Sequence, residues 1–168
     1  MLNKLPITEK KAVRVAYGET LVELGKLNKN VVVLDADVSS STQTKLFGQQ
    51  YPERFINVGI AEGNMMAIAA GFAASGKIPF VNTFAVFATL RAGDPLRSVI
   101  AYPNLNVKIA GGYAGVSDSY DGATHQSVED VAIVRSIPNL QVVVVADATE
   151  ARLATLAATQ VKGPVYLR

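Results

Sequence analysis

Short aliphatic and β-branched runs alternate along this chain with longer Ala- and Leu-rich stretches, a rhythm that predicts strands alternating with helices around a parallel sheet. Six runs read as strands: 31–37 (VVVLDAD), 55–58 (FINV), 78–84 (IPFVNTF), 107–111 (VKIAG), 140–146 (LQVVVVA) and 164–168 (PVYLR). The VVVL and VVVV cores carry no polar alternation, as expected of strands covered on both faces. Helices are predicted near 10–27, 61–75, 86–102, 127–137 and 149–161, several closed by Gly or followed by Pro. The expected fold is a three-layer α/β domain, a mostly parallel sheet of about six strands with helices on both faces. No repeat, low-complexity tract or linker interrupts the pattern, which predicts a single domain over residues 1–168.

Two stretches depart from this rhythm. The helix MMAIAAGFAAS is apolar or small all round, and such a helix is buried on every side. A domain of this size cannot supply that cover alone, so the helix around Met65–Phe72 predicts an association surface, for a homodimer or a partner subunit. Gly63, Ala67, Ala70 and Gly71 would let another backbone come close. The second stretch is 111–124 (GGYAGVSDSYDGAT), a connection rich in Gly, Ser and Asp in a chain whose other loops are short. A connection of that kind is more often functional than idle. The chain also stops inside a predicted buried strand, which predicts an excised domain or one subunit of a split enzyme.

Composition narrows the chemistry. Of 168 residues, 49% are hydrophobic and 18% charged, which excludes disorder. With no Cys and His125 as its single His, the chain has no disulfide, thiol nucleophile or multi-histidine zinc site. A net charge of +2 spread along the chain is no nucleic-acid footprint. No apolar run reaches the roughly 20 residues of a membrane span. The start, MLNKLPITEKK, lacks the apolar core of a signal peptide, so a cytoplasmic protein is expected.

Four groups of residues could carry chemistry. Glu62 stands where the strand FINV turns into the apolar helix. It is either an acidic first-turn residue favoured by the helix dipole or a carboxyl in an apolar, partner-covered pocket. Desolvation in such a pocket favours the protonated acid and suits it to share a proton with a ligand nitrogen. Asp121 and His125, in DGATHQ, are either turn and first-turn polar residues, with Thr124 or Ser127 capping the next helix, or groups that bind substrate hydroxyls and move a proton near neutral pH. Phe84 and Phe87, at the end of a strand, are either core or a stacking wall for a flat heterocycle. Asp35, Asp37 and the serines 39–41 are either turn chemistry or a polar ligand site. All four groups fall at or just beyond strand C-termini, the ligand-binding edge of an open α/β sheet. There is no P-loop, dinucleotide fingerprint or nucleophile elbow.

Taken together, strand–GIAEGNMMAIAAGFAASGKIPFVNTFAVF–DGATHQSVEDVAIVRSIPNL–VVVVADATEA resembles the pyrimidine-binding domain of the transketolase family of thiamine diphosphate enzymes, from about Tyr17 to Arg168. The resemblance implies that Glu62 hydrogen-bonds N1′ of the cofactor's aminopyrimidine and promotes the imino tautomer, whose nitrogen takes the proton from C2 of the thiazolium. It makes Phe84 and Phe87 the wall on which the pyrimidine stacks, with Asp37 near the cofactor. Asp121 and His125 match residues that contact the donor sugar's hydroxyls, and Ser41 a position near the substrate phosphate.

Leu90 stands where many members have an aromatic, Tyr113 where a histidine often reaches substrate, and Ser119-Tyr120 where Gly-Glu precedes the Asp. These departures bear on the sugar more than on the cofactor. The family's diphosphate-and-magnesium motif, Gly-Asp-Gly followed further on by Asn, is nowhere in the chain. The resemblance therefore implies half an active site, completed by a diphosphate-binding domain or subunit that holds Mg2+, and transfer of a two-carbon ketol unit between sugar phosphates. Related alternatives are 1-deoxyxylulose-5-phosphate synthase, the β chain of a 2-oxo acid dehydrogenase, and a regulatory subunit that kept the fold without catalysis.

Overall fold

The computed structural model describes residues 10–168; the amino-terminal stretch read for a signal peptide lies largely outside the described residues. Six strands form one sheet in the order β2-β1-β3-β4-β6-β5, every neighbouring pair parallel. They are β1 (Val31–Asp35), β2 (Phe55–Asn57), β3 (Ile78–Phe84), β4 (Lys108–Gly112), β5 (Gln141–Val143) and β6 (Val165–Leu167). All six predicted strands are present, most trimmed by a residue or more at one or both ends.

Alternation along β1 shows why its sequence is uniformly apolar. Val31 and Val33 point into a core with Leu21 and Leu24 of helix α1 (Val13–Leu27), Phe47 of α3 (Lys45–Gln50) and Ala158 of α7 (Ala148–Ala158). Val32 and Leu34 point the other way, into a core with Met65, Met66 and Ala69 of α4 (Glu62–Ala74) and Val134 of α6 (Asp130–Arg135). Each face is covered by helices, so every residue of β1 is buried.

Three local departures from the sequence expectation matter for the site. The Ser-rich stretch after β1 is not only a turn but a single helical turn, α2 (Ser39–Thr42). Its anchor is buried Asp35, whose carboxylate accepts from the Val38 amide at 2.7 Å and from the hydroxyls of Thr42 and Thr44 at 2.8 and 2.7 Å. Burial pushes the Asp35 carboxyl upward from its ordinary value, against the opposing pull of those donors. The helix expected over 86–102 forms as two wide π-helical segments, Phe87–Arg91 and Leu96–Ala101, on either side of the short α5 (Gly93–Pro95). Pro95 has no amide hydrogen to give, and amides at Ala92 and Tyr102 reach back five residues, to Phe87 and Arg97.

The helix expected from Ser127 starts at Asp130, and Ser127 does not cap it: its hydroxyl is buried with no hydrogen-bond partner. Backbone bonds between Gly115 and Ser127 pin the base of the long connection, which ends in a 3-10 turn at Gly122–Thr124. A side chain at Gly111 would collide with the Tyr166 hydroxyl. The absence of one lets Tyr166 reach Asp130 at 3.0 Å.

Candidate functional site

Parallel pairing brings the C-terminal ends of the strands to one edge, and the predicted residues other than Asp121 gather there around two cavities. The smaller, about 260 Å³, is lined by Asp37, Glu62, Phe84, Phe87, Arg91 and His125 among others. β3 delivers Phe84 at its last residue, the first π segment begins with Phe87, and α4 begins with Glu62. The rings of Phe84 and Phe87 lie 6.0 Å apart and 16° from parallel. His125 meets both edge-on, 5.9 Å from Phe84 and 5.1 Å from Phe87, while its Nδ1 lies 3.0 Å from the Thr124 hydroxyl. Asp37, in a left-handed conformation (φ 65°), accepts from the Asn57 amide group at 2.9 Å.

Glu62 is 2% exposed within this chain by itself, and its surroundings are not purely apolar. Arg91 Nη1 donates to both carboxylate oxygens, at 2.9 and 3.1 Å. The guanidinium also lies 4.1 Å from the centre of the Phe87 ring. Leu90, where an aromatic was expected to be missed, is 54% exposed and does not line the cavity. Arg91, four residues after Phe87, lines it instead.

The larger cavity, about 560 Å³, takes Ser41 and Tyr113 in its lining, together with Arg14, Asn82 and Arg168. Tyr113 stands between the two cavities, its ring 4.6 Å from Phe84. Its hydroxyl accepts from Arg14 at 2.8 Å, and Arg14 also donates to the Ser41 carbonyl at 3.3 Å. Tyr113 holds a left-handed φ of 53°, which is strained for a bulky side chain. Asp121 is exposed and lines neither cavity, so the arrangement does not bring it to the aromatic wall.

Sequence reasoning missed Arg14 and Arg91. Arg91 follows Phe87 at helical spacing, a signal for a stacked cation on the same face. Arg14 had no local signal, because what places it is α1 packing beside the loop after β4. For a thiamine-type cofactor, a stacked aromatic pair beside a buried carboxylate fits an aminopyrimidine ring. No cluster of three or more His, Asp or Glu among the described residues would hold a metal ion. The fit is to the pyrimidine ring of such a cofactor.

Residues 9–168 match the family described as "Transketolase, pyrimidine binding domain". The chain belongs to that family. It is 50% identical over 158 residues to a protein of Methanocaldococcus jannaschii assigned by name to a transketolase C-terminal section, spanning 94% of this chain and 50% of that one. It is 42% identical over 155 residues to a 6-deoxy-6-sulfo-D-fructose transketolase subunit of Clostridium sp. (strain MSTE9), spanning 92% of this chain and 48% of that one. A solved structure titled as a split gene transketolase, an inactive β4 tetramer, superposes with a TM-score of 0.85 at 52% identity, covering 95% of this chain and 51% of that chain. This transketolase pyrimidine-binding domain thus spans about half the length of the curated relatives it matches first.

Proposed function

We propose that this chain is the pyrimidine-binding half of a thiamine diphosphate-dependent ketol transferase, active once joined to a diphosphate-binding domain or subunit that also holds Mg2+. The observation that carries the reading is the convergence of Glu62, Phe84, Phe87 and His125 on one cavity at the C-terminal edge of the sheet. When bound, the cofactor supplies a carbon nucleophile and an electron sink for a ketose carbonyl. Phe84 and Phe87 stack the pyrimidine, and Glu62 holds a proton at its ring nitrogen. Asp37 borders the cofactor, and His125, on the edge of the aromatic wall, hydrogen-bonds a sugar hydroxyl beside the reacting carbon. Asp121, exposed and outside the lining of both cavities, would reach the sugar only by turning inward as it binds.

Arg14, with Ser41 and Tyr113, meets the anionic end of the sugar, either a phosphate or, as the name of the Clostridium relative suggests, a sulfonate. α4 leaves Ala67 and Gly71 exposed, a surface for a second copy or the partner subunit.

The test is ketol transfer from xylulose 5-phosphate and from 6-deoxy-6-sulfo-D-fructose, with thiamine diphosphate and Mg2+, by this chain with its diphosphate-binding partner and by each alone. Turnover only in the mixture, abolished by Glu62→Gln, is the expected result. Cofactor binding without turnover on either sugar would overturn the substrate assignment, and no cofactor binding would favour a regulatory subunit.

A further inference from the structure

We propose that Arg91 is a displaceable latch on Glu62: its guanidinium occupies the carboxylate and a face of Phe87, two contacts that a flat nitrogen heterocycle entering the cavity needs. The inference rests on the cofactor reading above. Nη1 meets both carboxylate oxygens, so a ligand nitrogen must share or replace that contact. The guanidinium lies over the Phe87 ring, where a stacking heterocycle would compete with it.

The two partners differ in freedom. Glu62 is 2% exposed on the first turn of α4, whereas the Arg91 side chain is 48% exposed. Among the described residues the Arg91 side chain makes no hydrogen bond other than those to Glu62. It can therefore leave for water on its flexible stem, and a pair with one half-exposed member contributes little net stability that its release would forfeit. While it stays, Arg91 gives the buried carboxylate a counter-charge and keeps its plane fixed toward the cavity. An incoming ligand offers a hydrogen bond in exchange.

The test titrates 4-amino-5-hydroxymethyl-2-methylpyrimidine into the full chain, followed by NMR of the Phe84 and Phe87 rings and of the Arg91 side-chain Nε–H. The aromatic and Arg91 signals are expected to shift together in the wild type. Arg91→Met should bind the pyrimidine about fivefold tighter, and adding Glu62→Gln should remove the gain. Equal affinity in wild type and Arg91→Met, or aromatic shifts with Arg91 unmoved, would overturn the latch and leave the site reading intact. If Arg91→Met does not fold, the wild-type titration decides alone. No aromatic shift in any variant would overturn both the latch and the reading beneath it.

Discussion

Asp130 and Glu62 are buried carboxylates in the first turns of helices that pack on the same face of the sheet, and an arginine meets each. Around Asp130 the surroundings are closed. Arg168 donates through Nε at 2.8 Å and Nη2 at 3.2 Å, a fork across both oxygens, and the Tyr166 hydroxyl adds a third donor at 3.0 Å. Arg168 is itself tied by its backbone to Val143 and Val145. The hydrogen bond to Asp130 holds its guanidinium above the ordinary value, while burial and then the Asp130 charge hold the Tyr166 hydroxyl protonated. Around Glu62 one nitrogen of a half-exposed arginine does all the pairing, at the wall of a cavity. The same two charges make a fixed joint in one place and an exchangeable contact in the other. What separates them is the number of donors and the exposure of the cation, 48% for the Arg91 side chain against 25% for that of Arg168.

The comparison can be broken most directly at Asp130. Asp130→Asn leaves Arg168 and Tyr166 without their anion, and should destabilise the chain by about 3 kcal/mol in urea unfolding. Tyr166→Phe removes one buried donor and should cost about 1 kcal/mol in the same measurement. Glu62→Gln should change stability by less than about 1 kcal/mol while abolishing ketol transfer by the assembled enzyme. Equal destabilisation at Glu62 and Asp130 would erase the distinction between the two sites.

A buried cation with no carboxylate sharpens the contrast, through an effect confined to alkaline solution. Lys108 donates to the carbonyls of Val161 and Gly163, and burial pushes its amine down to about 8. An unfolded lysine titrates near 10.4, so between about pH 8 and about 10.4 the unfolded chain holds more protons. Stability should therefore rise with pH across that window and be flat below it as far as this group is concerned. Lys108→Met should remove the rise in unfolding measured from pH 7 to 10.

The sheet was legible because uninterrupted valines mark strands covered on both faces, and the shared rim followed from strands that all run one way. Glu62, Phe84, Phe87 and Asp37 could be found because each lies at a strand end or a few residues beyond it, and His125 because it closes the long connection after β4. Ser41 and Tyr113 were legible as members of a ligand edge, but not as the lining of a second cavity. The helical turn of α2 was hidden because its support is the Asp35 carboxylate, reached by residues seven and nine positions away. The wide turns around Pro95 were hidden because period-based reading assumes one helical pitch. Arg14 touches a residue 99 positions away, a distance over which no local pattern speaks.

β6 lies between β4 and β5 although it follows both in the chain, and β5 pairs with no other strand. During synthesis β5 therefore has no place in the sheet until residues 165–167 emerge. The same segment brings Tyr166 and Arg168 to Asp130, so one side of the sheet cannot close before β6 is made. The strands carrying Asp35 and Phe84 can pair well before it.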